Sequence, residues 1–114
     1  MTERRPKLLV DALGAIALAQ EFVANCALAD YSRDKMRRSA VERQLEILGE
    51  ACGRLIRLQP DLSVTVANLK LAVDLRNRII HGYDAVDNEI VYFTVRDDLP
   101  PLQRDLNQLL NQGG

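Results

Sequence analysis

The sequence predicts an all-α fold, an up-and-down antiparallel bundle of four to five helices, on three observations. Apolar residues recur at spacings of three and four, strict alternation is almost absent, and caps and prolines leave only short connections between the periodic stretches. At 114 residues the chain can bury one core but hardly two, so residues 1–114 read as one domain. Hydrophobic residues make up 47% and charged residues 27%, a balance that argues against a disordered chain or a membrane protein.

The first helix places Leu9, Leu13, Ile16 and Val23 on one face, opens at Pro6 and is expected to fade near Ala29. Asp30, Tyr31 and Ser32 read as a polar break. Ser32 or Asp34 then caps a second helix whose core face runs Val41, Leu45, Leu48, Cys52 and Leu55 in steps of 4, 3, 4, 3. Pro60 and Asp61 end it. A third helix follows with Val66, Leu69, Val73 and Ile80 on its buried side, and Gly82 stands where a glycine commonly terminates a helix. Asp87 caps a short segment around Ile90 to Val95. Asp98, Pro100 and Pro101 are expected to interrupt it and restart a helix with Leu102, Leu106, Leu109 and Leu110 on its core face. Gln112, Gly113 and Gly114 are expected to fray.

The formal net charge of −1 gives no global field toward nucleic acid or an anionic membrane, so any RNA binding rests on a local basic patch. Residues 8–19 after a basic start faintly resemble a signal peptide, but Asp11 interrupts the run, and no stretch approaches the ~20 apolar residues a bilayer requires. A cytoplasmic protein without a membrane partner is expected. Cys26 and Cys52 lie far apart, without metal or redox spacing, and read as buried free thiols on apolar helical stripes. One histidine and two scattered cysteines cannot assemble a zinc site from one chain, so no metal or cofactor is expected.

Residues 76–83 gather a guanidinium (Arg76), an amide (Asn77), the one imidazole (His81) and a phenol (Tyr83). Imidazole is the side chain best suited to exchange a proton near neutral pH, and a guanidinium can grip phosphate oxygens through two parallel bonds. The combination suits phosphodiester chemistry. On an ideal helix, positions five apart are rotated by ~140° and displaced by ~7.5 Å, so Arg76 and His81 point different ways unless the helix ends near His81 or a partner chain completes the site.

Blander readings stand beside this one. Arg76 and Arg78 can be solvated or paired with Glu50, Tyr83 can be an ordinary packed tyrosine, and a lone histidine at a helix end is usually a surface residue. Glu50, after Gly49, signals either close helix packing at the glycine or a carboxylate facing a cleft. The basic cluster Arg33, Lys35, Arg37, Arg38 and Arg43 is interspersed with Asp34 and Glu42 and reads more as a solvated face than as an RNA track.

Arg76, His81 and Tyr83 meet the R-x4-H-x-Y pattern that resembles the signature of HepT-like HEPN proteins, with Asn77 as the polar residue after the arginine. Residues 40–45 and 49–51 look like that family's second helix, and residues 86–91 and 98–100 like its later segments, so the resemblance covers most of residues 35–110. It implies a HEPN helical bundle acting as a metal-independent endoribonuclease, the toxin of a type VII toxin-antitoxin pair. It further implies a homodimer whose two motifs line one cleft, an RNA rather than DNA substrate, and an MntA-like nucleotidyltransferase antitoxin that attaches AMP to Tyr83. In that scheme His81 takes the proton from a ribose 2′-hydroxyl, Arg76 stabilises charge on the phosphoryl oxygens, and Asn77 orients the phosphate or His81. The runner-up is a noncatalytic adaptor that binds a nucleotidyltransferase; a purely structural dimer is weaker, since neither needs Arg76 with His81.

Overall fold

The structure, a computed structural model, describes residues 4–82 and 86–112. These form α1 (Arg4–Val23), α2 (Leu28–Arg33), α3 (Lys35–Leu58), α4 (Leu62–Thr65), α5 (Leu69–His81), α6 (Asn88–Phe93) and α7 (Leu99–Asn111), with one π-helical turn over Thr94–Asp98. The all-α expectation holds. The helices beyond the four or five expected are short turns, and α6, the π turn and α7 follow one another without a gap.

Helix α3 lies between α1 and α5, antiparallel to both. Arg5 Nη1 donates to Gln59 Oε1 at 3.2 Å at one end of the α1–α3 pair, and Arg37 Nη1 donates to the Phe22 carbonyl at 3.1 Å at the other. Gly49 faces Arg76 while Gly53 faces Val73, so α5 runs back along α3. Helix α7 docks on α1, with Gln20 and Gln103 side chains 3.4 Å apart. Every residue of the expected 4-3-4-3 stripe on α3, from Val41 to Leu55, is buried in one core shared with Leu9, Ile16, Leu69, Leu102 and Leu106. Burying each such side chain contributes about 1.5–3 kcal/mol against the entropy of ordering it.

Local signals set the boundaries. Asp34 caps α3 by accepting from the Arg37 N–H at 3.0 Å, and that bond holds its carboxyl below the ordinary range. Asp87 caps α6 by accepting from Glu89 and Ile90 N–H groups. Gly82 ends α5 in the left-handed region at φ 62°, which a residue with a Cβ enters at a cost.

Several expectations are corrected. Helix α1 ends at Val23, because Asn25 takes a left-handed turn (φ 58°) that asparagine tolerates. Cys26 is buried as expected, but in that loop rather than on a helix. Tyr31 belongs to no polar break: it is buried within α2 with its ring 5.7 Å from that of Tyr92, whose hydroxyl donates to the Cys26 carbonyl. Val66 is buried beyond the short α4, and the third long helix begins only at Leu69. Ile80, expected in the core, is 43% exposed. Leu109 and Leu110 are only half-buried, and the Gln112 N–H still bonds to the Gln108 carbonyl. Pro100 and Pro101 do not interrupt the helix. The Leu99 N–H reaches back five residues to the Thr94 carbonyl, and the two prolines fall in the first turn of α7, where a missing N–H costs the helix least.

Candidate active site

Helix α5 buries Leu69, Ala72 and Leu75 and turns its next face toward α3, where Arg76 meets Gly49. A Cβ built on Gly49 would stand 2.2 Å from Arg76 Cβ and 2.7 Å from Cγ, so the aliphatic stem of Arg76 occupies the space that any larger residue would fill. The missing side chain lets the two helices close and brings the guanidinium over the adjacent Glu50. Arg76 Nη2 lies 3.2 Å from Glu50 Oε1, while Nη1 donates to Asn77 Oδ1 at 3.2 Å. Glu50 Oε2 accepts from Arg54 Nε at 2.8 Å. That hydrogen bond, and then the charges of Arg54, Arg76 and Arg57, hold the Glu50 carboxyl below its ordinary range, so it stays ionised opposite Arg76.

Both alternatives left open at Gly49 and Glu50 therefore hold together. Among the described residues, then, the guanidinium makes one hydrogen bond, to Asn77, and one ion pair, to Glu50. The Arg76 side chain is 30% exposed and borders a groove of about 340 Å³ whose floor is α3 and whose walls are α1, through Leu8 and Asp11, and α5, through Arg76 and Ile80.

His81 is the last residue of α5 and is exposed. The helix runs unbroken through both positions, so the ~140° rotation between Arg76 and His81 applies in the folded chain. The structure thus joins Arg76 with Asn77 and Glu50, and sets His81 about a turn and a half further along. Arg78 lines a different hollow of about 370 Å³ with Lys70, Asp74 and Ile90. Tyr83 lies outside the described residues. Among the described residues no group of three or more His, Cys, Asp or Glu side chains could hold a metal ion, and no helix is long and apolar enough to cross a membrane.

Residues 12–109, from the third turn of α1 to near the end of α7, match the family described as "Ribonuclease HepT-like". The chain belongs to this family. The HepT-like match spans Gly49, Glu50 and the whole of residues 76–83. Among relatives, a Thermococcus cleftensis protein named "Probable ribonuclease HepT" is 32% identical over 105 residues, covering 89% of this chain and 91% of its own. A Methanocaldococcus jannaschii protein named as an RNase is 33% identical over 109 residues, covering 93% and 97%. A further protein named as an RNase, from Caldanaerobacter subterraneus, is 27% identical over 92 residues, 81% of each chain. No solved structure matches the chain.

Proposed function

We propose that this HepT-like chain is one HEPN domain, a metal-independent endoribonuclease that cleaves RNA by attack of a ribose 2′-hydroxyl. The observation that carries the reading is Arg76 seated on Gly49 and held by Glu50 and Asn77, in the same helix as an exposed terminal His81. His81 takes the 2′-hydroxyl proton as the oxygen attacks phosphorus, the bond to the 5′-oxygen breaks and that oxygen leaves as a 5′-hydroxyl with a proton from water, and a 2′,3′-cyclic phosphate remains. Arg76 neutralises charge gathering on the phosphoryl oxygens, and Asn77 holds the guanidinium for that task. The rotation between Arg76 and His81 supports a homodimer in which each protomer's Arg76 works with the partner's imidazole across a symmetric interface.

The same reading makes the protein the toxin of a type VII toxin-antitoxin pair, silenced when an MntA-like nucleotidyltransferase transfers AMP to Tyr83. The added phosphate offers Arg76 a competing anion close to His81. One observation favours the adaptor reading instead, since the Arg76–Glu50 pair accounts for a partly exposed arginine without any phosphate. Incubation with labelled RNA in excess EDTA separates the two. Cleavage should persist, end in 2′,3′-cyclic phosphate, and vanish in Arg76→Ala and His81→Ala. Loss on chelation with rescue by a divalent ion refutes the mechanism, and full activity from a chain that is monomeric at micromolar concentration refutes the dimer.

A further inference from the structure

Helix α3 carries a second stripe, Arg43, Ile47, Glu50, Arg54 and Arg57, with the same 4-3-4-3 spacing as its buried one but on the opposite side of the helix. It spans fourteen residue steps, ~21 Å of helix. The Arg76 groove opens along this stripe into a second hollow, with which it shares Leu8, Asp11 and Arg54 and which adds Arg4, Lys7 and Arg57. Six cations and three carboxylates, Asp11, Glu46 and Glu50, line the two hollows together, an excess of positive charge in a chain whose net charge is −1. Glu50 binds Arg76 and Arg54, Glu46 pairs with Arg43, and Asp11, which lines both hollows, pairs with Lys7, so the excess concentrates at Arg4 and Arg57.

Of the basic cluster singled out in the sequence, Arg43 belongs to this stripe, while three other arginines bond within α2 and the start of α3. Arg37 and Arg38 donate to the Phe22 and Ser32 carbonyls, and Arg33 donates to the Ala29 carbonyl and pairs with Asp30. Those guanidiniums fasten α2 and the start of α3 rather than a ligand.

We infer that the groove along α3, from Arg76 of α5 past Arg54 to Arg57 and flanked by Arg4 and Lys7, is a track for the phosphate backbone of single-stranded RNA; this deepens the ribonuclease reading and rests on it for direction. The track has no aromatic platform among its lining residues, and its lining offers aliphatic surface at Leu8, Ile47 and Leu58. Affinity is therefore carried by phosphate contacts, with weak base preference and strong salt dependence.

The test measures binding of a fluorescein-labelled single-stranded 12-nucleotide RNA to the full chain carrying His81→Ala, which prevents cleavage, by anisotropy across 50–300 mM KCl. Adding Arg4→Gln with Arg57→Gln should weaken binding several-fold and lower the slope of log affinity against log salt by about 1.4, near 0.7 for each phosphate contact removed. Arg33→Gln with Lys35→Gln, an exposed pair off the track, should change neither. An unchanged slope in the Arg4/Arg57 variant, an equal drop in the control, or no RNA binding by the parent chain overturns the track. Cleavage by chains with His81 intact is read separately: a parent that binds with the expected slope but cuts nothing sinks the ribonuclease reading and leaves the track standing.

Discussion

Gly49→Ala and Gly53→Ala place the same methyl group on the same helix one turn apart, yet should change stability in opposite directions. At Gly49 the new Cβ would sit 2.2 Å from Arg76 Cβ and 3.0 Å from the Ala72 carbonyl oxygen, whereas ordinary carbon–carbon contact lies near 3.5–4.0 Å. Relief requires α5 to move off α3, or the Arg76 stem to swing aside, by more than ~1 Å. Overpacking of this kind costs about 1–3 kcal/mol, and the helix propensity gained by replacing glycine offsets up to ~1 kcal/mol of it. A net loss of up to about 2 kcal/mol should therefore lower Tm by several degrees, on a scale of roughly 4–8 °C per kcal/mol for a domain near this size. At Gly53 the nearest atom is Val73 Cγ2 at 3.9 Å, an ordinary contact, so propensity acts alone and stability should rise by about 0.5–1 kcal/mol. Because a displacement near 1 Å can cost 10²-fold in rate, Gly49→Ala should also lose about that factor in RNA cleavage while Gly53→Ala keeps its rate. Thermal and urea denaturation with a cleavage assay on each variant decide it. Equal Tm shifts of the same sign, or full activity in a stable Gly49→Ala, would refute the seating of Arg76 on Gly49.

Three further outcomes are expected. Tyr83→Phe should remain folded and cleave RNA but escape AMP transfer, checked by intact mass and by growth with and without the nucleotidyltransferase; neutralisation as complete as for the parent would make complex formation, not modification, the brake. Glu50→Ala should leave stability within about 1 kcal/mol, because the carboxylate is 42% exposed, yet lower kcat roughly tenfold by freeing Arg76, short of the 10²–10³ lost with a donor itself; an unchanged kcat would remove Glu50 from the site. Burial pushes the Cys52 thiol up to about 12. A thiol that ionises later in the folded chain than in the unfolded one favours folding fully below the unfolded value near 9, and this contribution is lost as pH rises toward 12, at about 1.4 kcal/mol per unit. Urea midpoints from pH 8 to 10.5 should fall more steeply for the parent than for Cys52→Ala, and parallel slopes would contradict the burial of a neutral thiol.

The sequence by itself determined the helical class, the buried stripe of α3 from Val41 to Leu55, the cap at Asp87, the stop at Gly82 and the burial of both cysteines, and it narrowed the α3 cap to Ser32 or Asp34, of which the fold uses Asp34. These follow from bonds and burial patterns that repeat within a few residues along the chain, so spacing alone reports them. The cluster of Arg76, Asn77 and His81 was legible in the same way, as unusual chemistry packed into one short segment. Only the tertiary structure decided that Gly49 admits the Arg76 stem, that Glu50 binds its guanidinium, that Ile80 faces a groove rather than the core, and that Arg57 and not Arg37 belongs to the exposed basic face. A π turn likewise carried the helix past Pro100 and Pro101, where local rules place a break. These outcomes depend on which faces of α1, α3 and α5 meet and how closely, and residues so distant in sequence acquire a common environment only when the helices dock.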